Sequence, residues 1–159
     1  MSASGTLQGI FIAPEKGAPM VSVPEVKAVA GQGLFGDRNF GRKAAAGVDK
    51  DLTLIEREKI DDFVRTTGLP FSAEDSRRNL LTGGIDLNAL LGREFYVGAV
   101  KVKALELCEP CSLLAKRTHR QVLWGFLHRG GLRCRIMSDG LIRVGDAIAS
   151  SVEPKPDGA

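Results

Sequence analysis

The sequence predicts a mostly β protein of the α+β class, a small β-barrel with a few helices at its periphery. Short apolar stretches, several alternating with polar residues, recur between turns rich in glycine and proline. Pro14, Pro19 and Pro24 interrupt or flank the earliest of them, as suits strands at the edges of a barrel. Sustained helical periodicity is confined to a few segments. At 159 residues and 43% apolar content, the chain is one domain by size and can bury a core without covalent staples. The domain is expected over residues 1–150. Residues 151–159, with two prolines and a penultimate glycine, read as a flexible tail.

Taken in order, Leu7 to Ile12 and Met20 to Val29 are expected as strands, the second broken at Pro24. A glycine-rich loop follows, Gly31 to Gly41, then a polar stretch to Lys50. A loop of this kind can cradle a phosphate, but it is not a P-loop. Within it, the neighbouring Asp37 and Arg38 read more readily as a loop-fixing pair than as chemistry. Asp51 to Ile55 is expected as a buried strand or a strand running into a helix. Thr53 and Glu56 have capping-box spacing, Ile60, Phe63 and Val64 repeat at i, i+3, i+4, and Gly68 and Pro70 stop the helix. Arg77-Arg78-Asn79 stands at the mouth of the next strand, Leu80 to Thr82, where a double arginine can grip an oxyanion or lie in solvent. Leu87 to Leu91 is a short apolar turn or helix, and Arg93 to Val97 is expected to form a hairpin with Val100 onward through Gly98. Val122, Leu123, Phe126 and Leu127 make the stripe of a second helix, ended by Gly130-Gly131. Leu132 to Met137 and Leu141 to Ala149 are the last strands, joined by a hairpin at Asp139-Gly140.

With 22 basic and 19 acidic residues, the net charge of +3 is too mild to indicate nucleic acid. The apolar run Gly9 to Ala13 is too short for a signal or a membrane span. Three unevenly spread cysteines argue against a disulfide framework and for a reduced, cytoplasmic setting. Neither nucleic acid nor membrane is expected as a partner. The C-terminal third is distinctly basic: between Glu109 and the tail, Asp139 and Asp146 stand against six arginines and Lys116. This is either a solvated face or a site for an anionic ligand.

The densest chemistry lies between Val100 and Arg117. Val100 and Val102 alternate with Lys101 and Lys103, then the apolar phase shifts to Leu105 and Leu107, which calls for a bulge near Ala104. Cys108-Glu109-Pro110-Cys111 follows. Pro110 is expected in the first turn of a helix ending near Lys116 and Arg117, which delivers Cys111 to the helix start. Unpaired N–H groups there favour an anion, and a thiolate is an anion. A free cysteine is ordinarily a small buried hydrophobe; C-x-x-C spacing beside a helix start shifts Cys111 toward nucleophile or soft-metal ligand. Cys134 falls on the apolar phase of a strand and reads as core.

Together the segments GQGLFGDRNFG, DLTLIE, SRRNLLTGGIDLNALLGREFYVG, LCEPC and HRGGLRCRIMSDGLIRVGD resemble the MOSC domain, named for the C-terminal domain of molybdenum-cofactor sulfurase. The resemblance runs from Gln8 to Ile148. It implies a barrel related to the β-barrel domain of pyruvate kinase, and molybdopterin or sulfur-transfer chemistry centred on one cysteine. Cys111 matches the cysteine that binds molybdenum in amidoxime-reducing relatives and is proposed to carry sulfur in sulfurases. Arg77 and Asn79 match the R-x-N segment that contacts the pterin, with Arg38, beside Asp37, as a further holder of its phosphate. Asn39 stands where relatives often have His or Tyr. The implied cofactor is the molybdenum cofactor. No pyridoxal phosphate is expected on this chain alone, so persulfide sulfur would come from a partner, a cysteine desulfurase, with a molybdoenzyme as the other partner implied. A small-molecule substrate is implied too, since stand-alone relatives are linked to reduction of N-hydroxylated compounds.

A competing reading is a thiol–disulfide oxidoreductase using Cys108 and Cys111, since strand, C-x-P-C and helix are shared with thioredoxin; the late, meander-like setting speaks against it. A zinc site is weaker still, because His119 and His128 lie outside the usual ligand spacings; His128 is expected at a helix C-terminus.

Overall fold

The computed structural model describes residues 4–41 and 51–150. The expected tail at 151–159 and the polar stretch 42–50 lie outside the described residues. In chain order the strands are β1 (Ser4–Ile12), β2 (Val21–Ser22), β3 (Glu25–Val29), β4 (Gly33–Leu34), β5 (Leu52–Glu56), β6 (Leu80–Gly83), β7 (Glu94–Val97), β8 (Val100–Leu107), β9 (Leu132–Ile136), β10 (Gly140–Arg143) and β11 (Ala147–Ala149). The helices are α1 (Arg57–Thr67), α2 (Ala73–Ser76), α3 (Ser112–Arg117) and α4 (Val122–Gly125), with a 3-10 turn at Leu87–Leu90.

Among the described residues, seven strands close into a barrel in the order β1, β6, β5, β9, β8, β7, β11 and back to β1. All neighbours run antiparallel except β5 and β6, which are parallel. A small sheet, β10–β3–β4, adds Ile142, Val26, Ala28 and Leu34 to the barrel core. The mostly β, barrel-with-helices class is therefore the observed one.

The wall explains a feature of the sequence. In β1, β5 and β6 one residue faces the barrel interior and the next faces a second apolar layer under the helices: Ile10 then Phe11, Leu54 then Ile55, Leu80 then Leu81. Strands buried on both faces read as continuous apolar runs, not alternations. The outer layer is centred on Phe63 of α1, Phe71 and Phe126, whose ring centroids lie 4.8 to 5.5 Å apart. Helix α1 presents Ile60 and Phe63 to that layer and stops at Gly68, which adopts the left-handed conformation at φ 72°.

Several local expectations are met. β2 and β3 are separate strands on either side of Pro24, β7 and β8 form a hairpin through Gly98, and Leu105 is the extra residue of a bulge between Ala104 and Glu106. Others need correction. Glu56 is the N-cap of α1 without a side-chain capping bond, and Thr53 is engaged with Asn79 instead, so there is no capping box. The Asp139-Gly140 turn does not join a hairpin: β10 pairs with β3 and β11 with β1 and β7, while Asp139 accepts the Ala30 N–H at 2.7 Å. Its carboxylate ties two distant loops in place of a turn. The stripe after Gln121 yields only a four-residue helix, with Val122 and Phe126 buried but Leu123 and Leu127 exposed. No helix of the described residues is long and apolar enough to cross a membrane.

Candidate functional site

Cys111 is the N-cap of α3, one residue before the helix, so Pro110 lies just outside the first turn in which it was expected. The thiol is exposed and makes no capping bond, while the Cys111 carbonyl accepts the Ala115 N–H at 3.1 Å. Lys116 and Arg117 form the last turn, as the charge pattern requires. Cys108 and Cys134 are buried. Burial, and secondarily Cys108, push the Cys134 thiol far above its ordinary value, which leaves it an inert part of the core.

The turn that carries Cys111 is held from three sides. Arg78 donates to the Cys108 carbonyl at 3.1 Å, to Gly130 O at 2.9 Å and to Ser76 O at 3.2 Å, strapping the R-R-N segment to the end of β8. Glu109 accepts both the backbone N–H and the ring Nδ1 of His128, each at 2.7 Å. His128 therefore serves this turn; it sits past α4 at φ 59°. Gly130 and Gly131 allow the approach: a Cβ on Gly130 would lie 2.2 Å from Cys108 O, and one on Gly131 1.7 Å from Leu54 O. Arg133 bonds Glu106 at 2.9 Å, with its second nitrogen 3.9 Å from Cys108 Sγ.

At the far end of α3, the arginines converge. Asp37 is buried and accepts from Ala13 N at 3.0 Å, Asn39 N at 3.3 Å and Arg38 Nη1 at 3.0 Å, so the expected loop-fixing pair also aims Arg38. The second Arg38 nitrogen lies 3.4 Å from the carbonyl of Arg77. Arg77 adopts φ 60° at the end of α2 and donates to Ala18 O at 2.8 Å. Its guanidinium is held below its ordinary value first by burial, then by the charges of Arg38 and Arg117, with Asp37 opposing. A groove of about 440 Å³ opens here, lined by Arg77, Arg117, Thr118, Met20, Glu74 and Asp75, among others. Asp75 is engaged in the capping box of α2 with Ser72.

Asn79 is placed differently. It is buried in the barrel wall, where Oδ1 accepts from Thr53 N and Thr53 Oγ1, both at 3.1 Å, and Nδ2 donates to Phe11 O at 3.1 Å. With both amide atoms committed to strands β1 and β5, the Asn79 side chain spends its hydrogen bonds inside the barrel wall. The sequence reading missed Arg117 as a member of the arginine group and Arg78 as the strap. The basic bias of the C-terminal third was the one signal for Arg117. Nothing local distinguishes Arg78 from Arg77.

Cys111 and Arg117 are separated by six residues of α3, about 9 Å along the axis at 1.5 Å per residue. An exposed thiol with no hydrogen bond among the described residues thus lies at one end of a short helix, and the arginine group gathers at the other. That combination suits an anionic ligand with a soft centre at one end.

The sequence profile of the MOSC domain matches residues 41–149. The chain belongs to the MOSC domain family. Solved structures share this fold. The YuaD protein from Bacillus subtilis is similar at TM-score 0.79 and 19% identity, over 94% of this chain and 96% of its own. YiiM from Geobacillus stearothermophilus gives TM-score 0.71 and 18% identity, over 97% of this chain and 77% of its own. YiiM from Escherichia coli gives 0.65 and 17%, over 95% and 72%. No curated protein matches the sequence. The structural likeness also covers β1 to β4, which precede the profile match, so the MOSC barrel here includes the first strand and the small sheet.

Proposed function

We propose that this MOSC protein binds a molybdenum cofactor, with Cys111 as its thiolate ligand or as carrier of sulfane sulfur, and with Arg77, Arg38 and Arg117 gripping its phosphate. The observation that carries this reading is the approach of three guanidiniums with Asp37 as the buried carboxylate among them. Like charges held together in a partly buried groove gain stability from a bound dianion, and arginine grips phosphate bidentately. Asp37 and Asn79 are positioning residues in this scheme, one aiming Arg38 and the other fixing the strand mouth that bears Arg77. When bound, the cofactor supplies redox or sulfur-transfer chemistry. The chain anchors the phosphate, presents one soft sulfur and leaves it open to a small-molecule substrate such as an N-hydroxylated compound. As a sulfur carrier, it would be served by a separate cysteine desulfurase or would pass sulfur to a molybdoenzyme, within the cytoplasm.

The dithiol alternative keeps its C-x-x-C spacing but loses its fold: the motif sits on an antiparallel barrel hairpin, not in a βαβ unit. The test is molybdenum and pterin content per chain after purification from hosts with and without the cofactor pathway. Cys108→Ser should retain most of the metal, Cys111→Ser should lose it, and Arg77→Ala should lower pterin content at an unchanged fold. Equal loss in both cysteine variants, or an insulin-reducing activity that needs both thiols, would overturn the reading in favour of dithiol chemistry.

A further inference from the structure

Helices α3 and α4 pack against each other and bury Leu114, Val122 and Phe126 beneath them. On their outer side they leave Leu113, Leu123, Trp124 and Leu127 exposed, at 60, 43, 62 and 49% respectively. Leu123 and Trp124 lie in α4, and Leu127 follows in the turn that closes it, its N–H directed to Trp124 O at 3.4 Å. Single exposed leucines are ordinary on a protein surface, but four large apolar side chains on two touching short helices and the turn that follows them are not. One of them is the sole tryptophan of the chain, a residue type enriched at the energetic centres of interfaces. The face begins two residues after the exposed Cys111.

The charges around this face select an occupant. Lys116 and Arg120 are exposed and have no ion-pair partner among the described residues, whereas Glu109 is engaged with His128, and Asp62 with Arg65 and Arg129. A second copy of this chain, docking by the same face about a two-fold axis, would set this unpaired basic rim against itself. We propose that the α3–α4 face is a docking surface for a different protein, one presenting an apolar surface rimmed by acidic side chains. Its docking covers Cys111 and makes access to that thiol depend on the partner. The proposal does not rest on the cofactor reading, and a failure in metal analysis would leave it standing.

Trp124, as the single tryptophan, reports occupancy directly. The probe is a synthetic amphipathic helical peptide with leucines along one face and glutamates flanking them, beside a twin carrying lysines in place of the glutamates. With the acidic peptide, Trp124 emission should shift to the blue and alkylation of Cys111 by N-ethylmaleimide should slow. The lysine twin should bind at least about tenfold more weakly. Leu123→Glu should abolish both effects at an unchanged melting temperature, and Leu113→Glu provides a second variant should the first fold poorly. Any of four results overturns the proposal: no response to the acidic peptide; equal binding of the two peptides; a blue shift with phosphatidylserine-containing vesicles and none with peptide, which assigns the face to membranes; or burial of Trp124 by concentration-dependent dimerisation of the chain alone.

Discussion

Replacing Asn79 by alanine separates a ligand contact from a structural one. The substitution removes three side-chain hydrogen bonds at 3.1 Å, two from Thr53 and one to Phe11 O. Thr53 Oγ1 keeps a partner, since it also accepts the Asn79 backbone N–H at 3.0 Å. Phe11 O and Thr53 N lose theirs. Each orphaned buried group costs about 1–3 kcal/mol, and Thr53 is only partly buried, so the expected loss is about 2–3 kcal/mol. For a domain of this size that corresponds to a fall in Tm of about 4–12 °C. Urea unfolding at an unchanged m-value, together with a thermal scan, measures it. Anion binding at the Arg77 groove should weaken in consequence, because the amide pins the segment that bears Arg77. A stability change below about 1 kcal/mol, with cofactor retention lost, would refute this reasoning and make Asn79 a direct ligand contact.

Glu56 and Gly131 provide two further tests. Burial raises the Glu56 carboxyl above its ordinary value of 4.5, with Asp86 and Glu58 adding to the rise and Lys59 and the Leu87 N–H opposing it. The folded chain then holds this proton at a pH where the unfolded chain has released it, so stability falls as pH rises from the ordinary value through the native one. Glu56→Gln, which keeps an acceptor for Leu87, should flatten that slope, with its largest advantage over the wild type above the native value; parallel stability–pH curves for the two proteins would show that Glu56 does not carry the slope. Gly131→Ala should be among the most damaging single methyl additions, costing about 3 kcal/mol or more, because φ is +100° and the new carbon meets Leu54 O; a melting temperature within a few degrees of wild type would show that β5 yields.

What could be read from the sequence was what local chemistry determines. The phase shift after Lys103 located the Leu105 bulge, Pro24 located the break between β2 and β3, and Gly98 and Gly68 marked a hairpin and a helix stop. What could not be read depended on which distant segments meet. The Asp-Gly signal at 139–140 is sound turn chemistry, but β10 finds a better partner in β3, more than a hundred residues earlier. Thr53 and Glu56 had capping-box spacing, yet Thr53 is claimed by Asn79 from the residue just before β6. At the site, Cys111 and its helix were visible because strand, proline and apolar run are contiguous. The meeting of Arg38, Arg77 and Arg117 was not, since it needs three segments distant in sequence folded onto one another. The stripe from Val122 to Leu127 is only half covered, because periodicity marks one face without saying how wide the covered part is.

The barrel is closed by the ladder between its first and last strands, Ser4 to Ala149, Gly5 to Ile148 and Thr6 to Ala147. This final seam has a kinetic meaning. A chain emerging from synthesis can form α1, the β7–β8 hairpin and the aromatic layer early, but β1 and β7 keep open edges until β11 arrives. Pairing across almost the whole chain is slow to nucleate, and unpaired strand edges are where aggregation begins. Loss of the few residues of β11 would remove very little of the core, yet would convert a closed surface into two adhesive borders. Solubility during folding, more than native stability, is where the last strand exerts its effect.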